Sequence, residues 1–257
     1  MGLLSNRISR DDLKPGEHIY SWRSAYSYAH HGIYVGDNKV IHFIQGRGNE
    51  VTTGNAIDLL LLSSGPSQND KVCQTCNYQR NNNGVISSCL DCFLAGGNLY
   101  RFEYGVKTSL FVAKARGGTC TLAESDSPET VIHRAKYLLE NGFGCYNIFK
   151  NNCEDFSIYC KTGLLVTDGS GIGPSGQTAS VVGAFTAVFS SPLRFLITNT
   201  PTLSVIAGGL YCLSRYAADI GIRRDVTRVP VENLAVRVGQ NDSQDIASMG
   251  RGPLIQL

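Results

Sequence analysis

The feature that most constrains this chain is the run His30-His31-Gly32-Ile33-Tyr34-Val35-Gly36-Asp37-Asn38-Lys39-Val40-Ile41-His42. β-Branched and aromatic residues on either side of Gly-Asp-Asn predict two short strands, 30–35 and 39–45, joined by a tight turn. Side chains alternate between the two faces of a strand, so a one-residue slip exchanges the faces completely. With Asp37-Asn38 as a two-residue loop, His30 and His42 point to opposite faces. With Gly36-Asp37-Asn38 as a three-residue loop, residue 42 lies opposite residue 32. His42 is then a diagonal neighbour of His30, about 7 Å away. Only this register gathers Ile33, Val35, Ile41 and Phe43 on one apolar face. The apolar set therefore selects it, and His30 and His42 share the other face with Gly32 and Tyr34. His31 falls on the apolar side as a packed or edge histidine.

Further strands are expected at 17–23, 100–104 and 109–115 from their aromatic and β-branched content. Ser127-Pro128-Glu129 reads as a helix start, with a hydroxyl cap, proline in the first turn and an acid at the positive dipole end. Val131, Ile132, Ala135, Leu138 and Leu139 follow at helical spacing, and Gly142 ends the run. A second helix is expected from Cys153 to Lys161, capped by Asn151 or Asn152 and stopped by Gly163. His18 and His133 read as ordinary surface or packing residues.

Cys153 stands in Lys150-Asn-Asn-Cys-Glu-Asp-Phe156. In the first turn of a helix a thiol meets the positive end of the dipole and nearby N–H groups, which favour the thiolate. An imidazole can take its proton and return it to a leaving group, and a third polar group can orient that imidazole. His30 and His42 are candidates for those roles. The residues alone also allow Cys153 to be a small buried side chain, as most free cysteines are. Cys160, on the same helix, fits that reading.

Of the nine cysteines, four form two CxxC units, Cys73/Cys76 and Cys89/Cys92, separated by 12 residues. Paired CxxC turns suit tetrahedral zinc with four thiolate ligands and no open position. A redox pair, disulfides and adventitious soft-metal binding remain alternatives on spacing alone. Residues 1–10 show no secretory pattern, so a reducing, cytoplasmic setting is expected, which favours metal over disulfides. Cys120, Cys145, Cys160 and Cys212 read as packing thiols.

The net charge of +2 gives no case for nucleic acid. Charged residues make up 17%, against roughly 25% in an ordinary soluble domain. The deficit is local, because between Gly169 and Ser214 the one charged side chain is Arg194. Prolines 192 and 201 cut this tract short of the ~18 apolar residues a spanning helix needs. A pair of buried or half-buried helices is expected, with peripheral membrane contact through 179–213 as the sharper alternative.

The run His30-x-x-Ile-Tyr-Val-Gly-Asp, the Val-Ile-His42-Phe element and Asn152-Cys153-Glu154 together resemble the lecithin:retinol acyltransferase (LRAT) domain family of the NlpC/P60 superfamily, from about residue 13 to 163. The whole chain is most similar to the plant NC-domain proteins of the lead-sensitive type. The resemblance implies an α+β fold, a circularly permuted papain-like arrangement in which an antiparallel sheet packs on the helix that carries the cysteine. It implies Cys153 as nucleophile, His30 as general base, His42 as the residue that orients it, and Tyr28 near the site. The implied activity is acyl transfer or lipid hydrolysis through an acyl-thioester, with a phospholipid or similar acyl donor. Asp155 stands where many members carry histidine, and the cysteine-rich segment does not belong to the mammalian pattern. Two other functions stay in view: an amidase or peptidase of the NlpC/P60 kind, and a non-catalytic module in metal tolerance or stress signalling. The expected organisation is an LRAT-like domain at 13–166 containing a cysteine-rich zinc loop at 66–97, a helical extension at 167–222, and a polar strap and loose tail at 223–257.

Overall fold

A computed structural model of the chain describes residues 5–23, 28–44, 73–77, 84–114, 116–143, 152–166 and 200–234. Five strands, β1 (His18–Arg23), β2 (Tyr28–Gly36), β3 (Lys39–Ile44), β4 (Gly84–Cys89) and β5 (Tyr100–Arg101), form an antiparallel sheet in the order β4-β3-β2-β1-β5. Helices α1 (Leu90–Leu94), α2 (Thr108–Ala113), α3 (Pro128–Asn141), α4 (Cys153–Thr162) and α5 (Thr200–Ala218) surround it, with a small second sheet of β6 (Leu164–Val166) and β7 (Val226–Arg228). The architecture is α+β.

The β2–β3 register places Ile33 opposite Ile41 and Tyr34 opposite Val40, so residue 42 faces residue 32 as the apolar pattern requires. The loop itself differs from the expected three residues. Gly36 pairs with Lys39, and Asp37 (φ 49°) and Asn38 (φ 57°) form a two-residue turn with both φ positive. That turn has the twist of the flanking strands. A bulge between Tyr34 and Gly36 inserts the missing residue and restores the register.

Helices α3 and α4 pack on one face of the sheet. Ile33, Ile41 and Phe43 meet Val131, Ala135 and Leu138 of α3 and Phe156, Tyr159 and Cys160 of α4. Ser127 caps α3 by accepting the Thr130 N–H, as expected. Arg134 ties the two helices together through Asp126 (2.7 Å) and the carbonyl of Cys160 (3.1 Å). The opposite face carries α1, where Leu90, Phe93 and Leu94 cover Ile19 and Val40.

Two expectations are corrected. The strand expected at 109–115 is not found among the described residues; Thr108–Ala113 form α2, with the Phe111 N–H bonded to the Lys107 carbonyl at 3.0 Å. Phe111 is the buried side chain of this segment, and a single helical turn presents it to Tyr216 and Arg215 of α5. Burial on a neighbouring helix overrides the β-propensity of the run. The cysteine-bearing segment is also more than a loop. Its second half supplies β4, paired with β3 from Lys39↔Cys89 to Ile44↔Gly84, and then α1.

The strap after α5 packs on α4. Val229 N–H bonds to the Gly163 carbonyl at 2.9 Å, and Tyr159 donates to the Val229 carbonyl at 3.0 Å. Val231 and Leu234 enter the same core cluster as Ile33 and Phe43. On α5, Leu213 is 62% exposed, and no helix among the described residues is long and apolar enough to cross a membrane. The apolar stretch at 179–188, Cys145 and the tail at 235–257 lie outside the described residues.

Leu234→Ala is expected to lower the unfolding free energy by about 2–4 kcal/mol. Glu232→Ala, at an exposed ion pair with His133, is expected to cost less than about 1 kcal/mol. Urea unfolding of the two variants checks this, and equal effects would show that the strap is not part of the core.

Candidate functional site

The register on β2 and β3 brings His30 and His42 together. The Nε2 of His30 lies 2.8 Å from Nδ1 of His42, and Nε2 of His42 lies 2.9 Å from Oγ of Ser88 on β4. Ser88 in turn donates to the Cys89 carbonyl at 3.3 Å. The result is a hydrogen-bonded chain across three adjacent strands. Phe93 of α1 closes over it, with its ring 5.3 Å from each imidazole. Arg23 fixes that wall by donating to the carbonyls of Phe93 and Leu94 and, at 3.0 Å, to Ser21 Oγ.

Gly32 lies beneath this group. A Cβ there would stand 2.8 Å from Val40, 2.9 Å from Phe93 and 3.0 Å from His42. Glycine is needed because three side chains, two from β3 and one from α1, occupy the space a larger residue would take.

Burial pushes the pKa of His42 down to about 3, with Arg23 adding to the effect. Burial also lowers His30 well below the usual imidazole value, followed by His42, Arg23 and His31. Both rings are therefore neutral near pH 7, as a proton acceptor must be. His42 is 2% exposed, while His30 is half-buried.

Cys153 begins α4. Asn152 is the helix cap and accepts the N–H groups of Glu154 (2.8 Å) and Asp155 (3.2 Å). Asp155 returns the bond by accepting the Asn152 N–H at 3.0 Å. This reciprocal box holds the first turn in place. The Cys153 thiol is 5% exposed and lies 3.9 Å from the carbonyl of Ala29, the residue before His30. On β2, the Tyr34 N–H donates to the Glu17 carbonyl and the Tyr34 carbonyl accepts from the Gly16 N–H, so by alternation His30 and Tyr28 direct their backbone groups toward β1. The Ala29 carbonyl therefore points to the β3 side, and the thiol sits at the margin of the sheet beside the histidine strand. Tyr28 lies on the same strand. Its phenol is raised by burial, lowered by Arg23 and raised by Cys153.

The four CxxC cysteines also converge. All four Sγ atoms lie within 4.8 Å of one another, and Cys76 and Cys92 are 3.7 Å apart. Thiolates about 2.3 Å from a tetrahedral ion would be about 3.8 Å apart. Each CxxC turn aims a backbone N–H at its first sulfur. The Cys76 and Thr75 amides lower Cys73 to about 6, while Cys89 is raised by burial, against which the Cys92 amide acts. The donor set and its spacing suit a thiolate-binding cation.

Ser88 was not singled out by the sequence reading. Serine carries little signal, and only the β3–β4 pairing, Val40↔Ser88, sets it diagonal to His42. A second buried histidine pair lies on the opposite face. Nε2 of His18 is 2.8 Å from Nδ1 of His31, and Nδ1 of His18 is 2.8 Å from the Tyr104 hydroxyl. These histidines are 1% and 0% exposed, stacked on Phe102 and Tyr20. His133 is a surface residue, as expected. Cys120 and Cys160 are buried free thiols.

A profile of the Lecithin retinol acyltransferase family matches residues 11–166. The chain is also 62% identical over 239 residues to Protein LEAD-SENSITIVE 1 of Arabidopsis thaliana, covering 93% of this chain and 92% of that protein.

The buried histidines make a pH prediction. An unfolded imidazole titrates near 6.5, while burial holds His18, His30, His31 and His42 below that value. Their contribution to stability is complete above pH ~6.5 and falls with pH as the unfolded chain takes protons first. It continues to fall down to the folded values, about 3 for His31 and His42. Unfolding free energies from urea melts between pH 7.5 and 5 should drop with a slope approaching four protons. A flat profile would contradict the burial of these rings.

Proposed function

Because the chain belongs to the lecithin retinol acyltransferase family, we propose that it transfers acyl groups through a thioester on Cys153. The observation that carries this reading is the His30–His42–Ser88 chain on the strand beside the Cys153 thiol. Its proton order follows from the partners. Ser88 gives its proton to the Cys89 carbonyl and so accepts from His42 Nε2–H. Neutral His42 then presents its lone pair at Nδ1 to His30 Nε2–H. The lone pair of His30 is left at Nδ1, the nitrogen that serves as base.

In the first half-reaction the Cys153 proton passes to His30 and sulfur attacks the ester carbonyl carbon. The carbon–oxygen bond breaks, and the departing alkoxide takes the proton from His30. In the second, water, an alcohol or an amine gives a proton to His30 and attacks the thioester, and the thiol is regenerated. The positive end of α4 stabilises the charge on the carbonyl oxygen. The sheet and the cysteine helix are read as a circularly permuted NlpC/P60 arrangement. A phospholipid is the acyl donor, met at a cytoplasmic membrane surface through the apolar tract at 179–213. The four-cysteine cluster holds structural zinc, with four protein ligands and no catalytic position.

A second reading rests on that cluster. The Arabidopsis relative is named for sensitivity to lead, and thiolates favour soft cations. In this reading the chain is a metal-responsive module without turnover.

Incubation with phosphatidylcholine vesicles should add one acyl mass to the intact protein, and Cys153→Ser should abolish the adduct. His30→Gln should slow its formation by at least ~100-fold. Failure to acylate Cys153 from any ester or amide donor would remove the enzyme reading and leave the second.

A further inference from the structure

We propose that a divalent metal held by Cys73, Cys76, Cys89 and Cys92 positions the His30–His42 pair, so that metal occupancy regulates the thiol site. The inference rests on the reading of the cluster as a metal site and of the histidines as the partners of Cys153. It adds a physical link between the two.

The link has two arms. The first runs through β4. Cys89 is the last residue of that strand, and Ser88, immediately before it, holds His42 Nε2 at 2.9 Å. A shift of Cys89 is therefore a shift of the group that orients His42. The second runs through α1. Cys92 precedes Phe93, whose ring touches both imidazoles, and Phe93 is locked by the close approach at Gly32. The two ligands Cys89 and Cys92 thus stand next to the two residues, Ser88 and Phe93, that hold the histidine pair.

Neither arm is strongly held by its own structure. α1 has five residues, far too few for an independent helix. β4 is the edge strand of the sheet and pairs on one side only, with β3. The strand–helix junction is held by the β3–β4 ladder, by the Leu90 N–H to Asn38 carbonyl bond (2.9 Å), by the packing of Leu90, Phe93 and Leu94, by the Arg10–Asp91 ion pair and by Arg23 at the far end of α1, and the cysteine cluster ties it to the turn at 73–77. A cation shared between this junction and the turn at 73–77 would pin it. Without the cation, four sulfurs crowded within 4.8 Å have no common partner. Ser88 and Phe93 are positioning residues in this scheme and touch no substrate.

The molecule contains its own control. The His18–His31 pair lies on the opposite face, where His18 bonds the Tyr104 hydroxyl and the two rings stack on Phe102 and Tyr20. It should report global folding without responding to the metal.

The test uses the full chain labelled with nitrogen-15 at histidine. Zinc is removed with a high-affinity chelator, cadmium is then added back, and metal per chain is measured throughout. On metal removal the His30 and His42 imidazole signals should shift or broaden, and the rate of Cys153 alkylation by iodoacetamide at pH 7 should fall at least ten-fold. The His18 and His31 signals should persist, and one equivalent of cadmium should restore the rest. Ser88→Ala should retain one equivalent of metal yet show the disturbed His42 signal, with Ser88→Thr restoring it. Metal that leaves and returns while the His30 and His42 signals stay fixed overturns the proposal. So does Ser88→Ala with an unchanged His42 signal. Absence of a metal equivalent that Cys73→Ser abolishes also overturns it, by removing the metal site itself. An unreactive Cys153 beside imidazoles that respond to metal supports the positioning role and instead removes the acyl-transfer reading.

Discussion

β2 serves two chemistries on alternate residues, and the rest of the molecule is arranged around that alternation. Ala29, His31, Ile33 and Val35 face α3 and α4, while His30, Gly32 and Tyr34 face α1. The strand is therefore buried on both sides, which is unusual for an antiparallel sheet with one solvated face. Its register cannot slip, because one step would turn His30 away from His42 and set Ile33 and Val35 on the face of α1. The turn at Asp37-Asn38 and the bulge after Tyr34 act together to hold this register.

α4 is the second fixed point. Nine of its ten residues are buried, so its position is set by the sheet on one side and the strap on the other. Asp155 has a structural use. Its carboxylate accepts the Asn152 N–H and completes the box that starts the helix. Cys153 is thus anchored by backbone capping, while His30 is anchored by a chain of side chains. Two independent supports converge at the Ala29–His30 peptide.

The sequence was legible where pattern and chemistry coincided. Period-two alternation gave the faces of Ile33, Ile41, His30 and His42, and local capping residues gave both long helices near their ends. It was illegible where the deciding contact is distant. Thr108–Ala113 has strand-forming residues but folds as a helix because Phe111 is received by Tyr216, more than a hundred residues away. β4 was hidden by its polar flanks and by the cysteines, which drew the reading toward a loop. Its Val85-Ile86-Ser87-Ser88 run alternates only weakly, so Ser88 emerges from the ladder and from nothing local. The convergence of the four thiols was foreseeable from CxxC spacing, but their connection to His42 was not.

The same distance dependence governs the C-terminal strap. The family profile ends at residue 166, yet the core around Phe156 and Tyr159 is completed by Val231 and Leu234. Asp126, before α3, receives Arg134 from the matched region and Arg228 from the strap. Asp219 links the two in the same way, accepting from Thr121 at 3.0 Å, Leu122 N–H at 3.2 Å and Gly221 N–H at 2.9 Å. A carboxylate with three donors in a buried setting orders the chain on both sides of it. The helix that carries Cys153 is consequently held by residues outside the family span, and its geometry depends on the strap as well as on the family motifs.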